Sequence, residues 1–374
     1  MEGSSYINCL LCKEGMFEIM EFVRNKKSRD FAINGLYKYL YFWRINYAHH
    51  SMKILKILWV LLFIVSCNKK ENHPYTFYYW KTNLKLDQEE KKVLDQATIP
   101  YVYTRFFDVD KAGGKFQPVA VITKDQSFQT DKQIVPTVFI TNPTLIGISQ
   151  EEIRFLAESI HYLVQKKAEE YHLKINNEIQ IDCDWTAGTR EDYFKFLKEL
   201  KRVSGKEITC TLRLHQVKDK KQTGIPPVDK VYLMCYSTSS PLDKSDKNSI
   251  LDVSILKSYL SKLEDYPIKK VEVALPIYSW GIITNHLGKH KLINALSKKD
   301  LNNPNFKKIS DHEAEVLKDG FYFGSYLNKG FKIKVEEISE EQLTDVILFL
   351  QKKIQQFNII YYQLDSKFVL DRKF

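Results

Sequence analysis

From Tyr75 onward the chain alternates short strand-like apolar runs with longer amphipathic ones. Eight runs are rich in β-branched and aromatic residues: Tyr75 to Trp80, Pro100 to Asp108, Val135 to Asn142, Glu178 to Trp185, Glu207 to Gln216, Val228 to Ser237, Lys270 to Trp280 and Asn358 to Asp365. Between several of them apolar residues recur every third or fourth position, clearest over Gln150 to Tyr171, Arg190 to Val203, Ile250 to Leu263 and Glu340 to Phe357, which predicts helices. Strand, helix, strand repetition pairs successive strands in parallel, and eight such strands close a barrel. Residues 75–374 therefore predict an α/β protein, a (β/α)8 TIM barrel of about 250 residues with one insertion. The insertion falls at 282–339, between strand 7 and helix 7. Gly, Asn and Lys are frequent there, and Gly320-Phe-Tyr-Phe-Gly-Ser-Tyr-Leu-Asn328 interrupts them. A small flap over the barrel mouth is expected from it.

Upstream the pattern changes. Residues 52–67 have a short basic start, an apolar run from Ile57 to Val65 and a small residue before Cys67, the form of a secretory signal and too short to cross a bilayer core of about 30 Å. Ile64-Val65-Ser66-Cys67 also resembles a bacterial lipobox, which implies cleavage before Cys67, acylation of that cysteine, and an exported lipoprotein held at the periplasmic or outer-membrane face by its lipid anchor. Residues 68–74 then read as a tether. Because an export signal belongs at the start of a chain, Met52 is the expected start and residues 1–51 an upstream extension. Cys9-Leu-Leu-Cys12 has no second pair near it and carries no assignment.

The formal net charge is +10, but basic and acidic residues are interspersed, so a solvated surface and no nucleic-acid partner are expected. Cys183, Cys210 and Cys235 sit inside predicted strands at apolar positions and read as core thiols, not a disulfide framework. No zinc or metalloprotease spacing, glycine-rich phosphate loop or Gly-x-Ser-x-Gly elbow occurs. Neither a cofactor nor a metal is expected, and the chain is expected to be a monomer.

The chemistry concentrates in Glu178-Ile-Gln-Ile-Asp-Cys-Asp-Trp-Thr186. Alternation along a strand puts Gln180, Asp182, Asp184 and Thr186 on one face, same-face neighbours about 6.6 Å apart, and Ile179, Ile181, Cys183 and Trp185 on the other. Two carboxylates on the inner face of a barrel strand require a polar, hydrogen-bonded site. Barrel enzymes place their working groups at the C-terminal ends of the strands. There the second strand offers Arg105 and the fifth Arg213 and His215, the arginines being natural partners for Asp182 and Asp184. Met234 and Tyr236 end the sixth strand, Tyr278 and Trp280 the seventh, and Tyr361 or Tyr362 with Gln363 and Asp365 the eighth. Aromatic walls beside carboxylates suit sugar rings, although a chain that is 13% aromatic puts some rings at strand ends by chance.

Ile181-Asp-Cys-Asp-Trp-Thr186 resembles the fourth-strand motif Asp-x-x-Asp-x-Asp-x-Glu of the chitinase-type glycoside hydrolases, family eighteen. Val228-Asp-Lys-Val-Tyr-Leu-Met-Cys-Tyr236 and Val271-Glu-Val-Ala-Leu-Pro-Ile-Tyr278 are similar to that family's sixth and seventh strands, with their Met-x-Tyr and Pro-x-Tyr endings. The resemblance implies a TIM barrel acting on glycans, with Asp184 at the position of the carboxylate that orients the substrate's acetamido group. It also marks departures. Thr186 replaces the Glu that protonates the glycosidic oxygen, Ile179 the outermost Asp, and Ser237 the Asp after the sixth-strand Tyr. General acid catalysis is worth about 100 to 10,000-fold, so the family mechanism does not transfer intact, and a divergent bacterial branch with a Gln-x-Asp-x-Asp form is the better match.

Two readings follow. In one, Asp182 and Asp184 are catalytic carboxylates working on a glycan with an acid supplied from elsewhere: Glu272, Asp365 or the flap. In the other, a non-catalytic glycan-binding or structural envelope lipoprotein keeps Tyr236, Tyr278 and Trp280 as sugar-stacking residues.

Overall fold

The computed structural model describes residues 73–374, apart from Lys244 and Asp371. The signal segment 52–67 with Cys67, the upstream extension 1–51 and most of the tether lie outside the described residues.

Eight parallel strands form the closed barrel: β1 Tyr75–Tyr79, β2 Tyr101–Ala112, β3 Gln133–Ile140, β4 Glu178–Asp182, β5 Glu207–Arg213, β6 Lys230–Met234, β7 Lys270–Pro276 and β8 Ile359–Tyr362. Each pairs with the next in sequence, and β1 pairs with both β2 and β8, which closes the ring. Strands of a parallel barrel are covered on both faces, so they read as continuous apolar runs; all five residues of β4 are buried, Glu178, Gln180 and Asp182 among them. The strand β2 runs longer than its neighbours and hairpins into Lys115–Val119, which pairs with it antiparallel.

The helices on the outer face are α1 Gln88–Gln96, α2 Gln150–Glu170, α3 Arg190–Ser204, α4 Val253–Tyr259 and α5 Glu340–Gln351. Their starts are written in the sequence as capping residues. Asp87, Ser149 and Ser339 each accept from a backbone N–H three residues on, while Glu90, Glu152 and Gln342 return a bond to the cap, satisfying donors a helix start leaves orphaned. Helix α3 stops at Gly205, which takes φ +64, a left-handed turn that costs glycine little.

Lys230 Nζ reaches Glu178 Oε2 at 2.6 Å within the N-terminal part of the barrel, where Thr209 Oγ1 and Tyr232 Oη donate to Glu178 Oε1 at 2.7 and 2.8 Å. Three donors make this buried carboxylate tolerable. Tyr103 hydrogen-bonds Tyr232 just inside it.

Between β7 and α5 the chain builds a separate five-stranded antiparallel sheet, in the order His290–Asn294, Trp280–Thr284, Lys332–Glu336, Glu313–Val316, Phe306–Lys308. It has its own small core, with Ile283, Leu296, Phe306, Val316, Ile333 and Val335 buried together. A hairpin of Gly320–Tyr322 with Ser325–Leu327 packs on that core through Tyr322, Phe323 and Leu327.

Candidate functional site

A cavity of about 390 Å³ opens at the C-terminal end of the barrel strands. Of the residues singled out above, it gathers Asp182, Asp184, Arg105, Arg213, Met234, Tyr236, Tyr278, Trp280 and Gln363 into one lining. His215 is not among them. Strand β5 ends at Arg213 and a short helix, Leu214–Lys218, starts at once, so strand alternation no longer applies and the imidazole is exposed on the helix.

Asp182 lies at the cavity floor, 6% exposed, and accepts from Thr211 Oγ1 at 2.7 Å. Burial pushes its carboxyl up from the ordinary value of 3.8 to about 6; the Thr211 bond and Arg213 oppose the rise, and the neighbouring Asp184 and Asp108 add to it. Asp184 stands nearer solvent, its side chain 47% exposed, with Arg213 Nε 3.3 Å from its Oδ1. Thus one of the two expected arginine pairings forms.

The other does not. Arg105 instead grips Asp108, Nε donating to Oδ1 at 2.6 Å and the second nitrogen to Oδ2. Residues three apart face opposite ways in a regular strand, but the pairing of β2 with β3 slips between Arg105 and Phe107. Such a bulge resets the alternation and brings Asp108 onto the cavity face with Arg105. The guanidinium also lies over Trp80, 5.8 Å from the ring centroid.

Aromatic rings form the wall. Tyr236 stacks on Tyr362 (5.4 Å, 24°), Tyr278 meets Tyr362 and Tyr236 edge-on at 5.6 and 6.1 Å, Tyr278 packs against Trp280 at 5.3 Å, and Trp80 closes on Tyr362 at 5.6 Å. Burial pushes the hydroxyls of Tyr236, Tyr278 and Tyr362 upward, so they stay protonated and able to donate. The hydroxyl of Tyr78, another lining residue, is buried and meets no hydrogen-bond partner among the described residues. Trp280 is tied to the inserted sheet: its Nε1 donates to Glu336 Oε2 at 2.9 Å.

The acids considered as replacements for the missing Glu lie elsewhere. Glu272 sits near the N-terminal end of β7, accepting from the Asn358 backbone N–H at 2.6 Å, and Asp365 caps the helix Ser366–Val369 and pairs with Lys81 at 3.2 Å. In the inserted sheet Glu336 is buried and holds Trp280 and the Ser249 amide. Thr186 does not line the cavity. The preceding Trp185 is buried, its indole donating to the Thr223 carbonyl at 2.9 Å, and Thr186 is exposed with its backbone N–H on Thr189. Sequence reasoning missed Trp80, Asp108 and Tyr78; Trp80 and Asp108 each end a predicted strand, which could have pointed to them, although alternation counted through Arg105 turns Asp108 to the other face.

No family model matches the chain, and no curated protein matches it. Among solved structures, it is similar to the spore cortex-lytic enzyme SleL of Bacillus cereus (16% identity, TM-score 0.47, covering 78% of this chain and 71% of that one) and to a Group IV chitinase of Ostrinia furnacalis (11%, 0.41, 78% and 93%). It is also similar to the xylanase-A-amylase inhibitor protein XAIP-III (11%, 0.44, 81% and 100%). These likenesses concern the fold alone.

Proposed function

We propose that this barrel recognises a glycan in the cavity at its strand ends, binding it without the hydrolytic step of the chitinase-type enzymes. One observation carries the reading: two of the three carboxylates lining the cavity, Asp108 and Asp184, are each engaged by an arginine, and position 186 presents a threonine outside the cavity. An acid that must give its proton to a leaving oxygen has to reach it directly or through one water. Here the arginine–carboxylate pairs act as fixed hydrogen-bonding groups for sugar hydroxyls, and Trp80, Tyr236, Tyr278, Tyr362 and Trp280 supply the apolar wall. The cavity volume lies within the range of roughly 300–1,000 Å³ common for small-molecule sites, and suits a short saccharide segment. Calorimetry with a panel of oligosaccharides tests it. Binding should weaken by about tenfold in Trp280→Ala, the loss of one stacking ring, and a parent chain that binds none of the panel removes the proposal.

A second reading has one observation in its favour. Asp182, held at about 6, sits where a carboxyl can exchange a proton near neutral pH, as acid–base catalysts do. If the chain hydrolyses a glycan, turnover should follow a group of that pKa and be lost in both Asp182→Asn and Asp184→Asn. Undiminished turnover in either variant excludes the pair as catalytic.

For its place in the cell we propose an exported lipoprotein acylated at Cys67, on the strength of the basic start, apolar run and Ser66-Cys67 junction. Labelled palmitate should enter the parent protein and be absent from Cys67→Ser.

A further inference from the structure

The inserted sheet has two unlike ends. At one end Trp280 and Asn294 line the cavity. At the other, the register sets Thr284 against both His290 and Lys332, and Lys332 against Glu315, so the turns after Thr284, after Val316 and before Lys332 emerge together. His286 packs on Phe331 at 5.1 Å and the Gly330 amide bonds the Val316 carbonyl at 2.7 Å, which joins those turns into one surface. The hairpin is bound to the same end: Lys291 Nζ donates to Ser325 Oγ at 3.0 Å and Tyr322 Oη to the Lys318 carbonyl at 2.8 Å.

This end exposes what proteins ordinarily cover. Phe321 is 81% exposed and Leu287 79%, with Tyr326 and Leu317 also open to solvent. Around them stand Lys289, Lys291, Lys318 and Lys329, none of which makes an ion pair among the described residues. The exposed acid of these turns, Asp319, is turned back to accept the Lys329 amide at 2.5 Å. Apolar side chains at the tip with unpaired lysines behind them match a bilayer edge, where hydrocarbon lies inside a layer of anionic headgroups. The geometry does not match a sugar platform. Phe321 and Tyr326 meet edge-on at 73°, leaving no coplanar pair of faces for a sugar ring, and a neutral glycan offers lysine nothing to neutralise.

We propose that this end of the inserted sheet is a membrane-docking tip that seats on anionic lipid. Phe321 and Leu287 enter the acyl boundary, Tyr326 lies among the headgroups, and the four lysines contact lipid phosphates. The assignment stands on residues of the insertion alone and is independent of acylation at Cys67 and of what the cavity binds.

The test uses residues 72–374, which form one compact unit containing the closed barrel and lack the apolar run at 57–65. This chain should sediment with vesicles of phosphatidylglycerol and phosphatidylethanolamine, less so as salt is added, and not with phosphatidylcholine vesicles. Each of Lys289→Glu and Lys318→Glu should weaken binding by roughly fivefold or more, and Phe321→Ser with Tyr326→Ser by about tenfold or more, with thermal melts unchanged because all four side chains are exposed. In Phe321→Trp, a blue shift of emission on anionic vesicles reads the same contact. Absence of binding to anionic vesicles overturns the proposal, as do unaltered binding by the variants, equal binding to phosphatidylcholine, or retention on an insoluble glycan that depends on Phe321. A dimer of the parent chain that Phe321→Ser dissociates also overturns it, assigning the tip to a second copy.

Discussion

Asp182 is caught between two demands. Its burial disfavours the charged form, and the Thr211 bond that stabilises it is too little to compensate, so its carboxyl titrates at about 6 in the folded chain against an ordinary value of 3.8. An acid raised on folding binds more protons in the native state between those two values, so it supports folding at pH below about 4 and loses that support as pH rises through about 6. At neutral pH the ionised group costs on the order of 2–3 kcal/mol. Asp182→Asn keeps an acceptor for Thr211 and removes the charge. Thermal melts should therefore show the variant more stable than the parent at pH 7.5 and nearly equal to it at pH 4, while its glycan affinity falls. A variant less stable than the parent at both pH values would contradict this account. Most of the side chains proposed for the cavity gathered there, because strand ends were legible from blocks of apolar residues. His215 did not, since nothing in Arg213-Leu-His-Gln marks the abrupt change from strand to helix. Asp108 was missed for a related reason: a bulge leaves no mark on composition, and alternation counted straight through Arg105 puts Asp108 on the wrong face.

At the scale of elements, the barrel strands were legible because burial on both faces demands Val, Ile, Tyr and Phe in runs, and α2 and α5 because apolar residues recur every third or fourth position over Gln150 to Tyr171 and Glu340 to Phe357. Helix α1 escaped notice: its nine residues are mostly charged and bury only Glu90, Val93 and Leu94, too few positions to show a period. Strand β4 was expected to run to Trp185 and stops at Asp182, where the indole needs to turn toward Thr223. The inserted sheet meets the cavity through one polar node. Glu336 accepts from Trp280 and the Ser249 amide, and Lys334 Nζ lies 2.9 Å from its other oxygen. Glu336→Ala would leave the Ser249 amide, the Ser249 hydroxyl and the Trp280 indole without their acceptor, at a cost of roughly 3 kcal/mol or more. Urea denaturation should show that loss, and glycan affinity should fall with it because Trp280 is no longer held. Glu336→Gln, which retains an acceptor, should recover much of the affinity. A stability loss without any change in affinity would separate the node from the cavity.

For the molecule as a whole, the barrel carries a sealed ion pair at one end and an open, ligand-sized cavity at the other. Lys230 also reaches Glu207 Oε1 at 3.2 Å, but Glu178 is buried with Lys230 as its cationic partner, so removing the lysine leaves an uncompensated charge. Lys230→Met should destabilise the chain by about 3–5 kcal/mol, whereas Lys230→Met with Glu178→Leu should recover much of the loss, buried pairs being replaceable by apolar residues at little net cost. Denaturant unfolding of the single and double variants measures it, and a double variant no better than the single would place the stabilisation elsewhere. The cavity's Trp280 begins the same strand that ends at Thr284 beside the docking tip. Five residues of strand, each advancing about 3.3 Å, form a rigid spacer of roughly 15 Å between the tip and the cavity mouth. With the tip resting on a surface, the mouth is set at a constant height above it, and the protein works as a depth gauge, meeting only those saccharides that lie in one thin layer over the support.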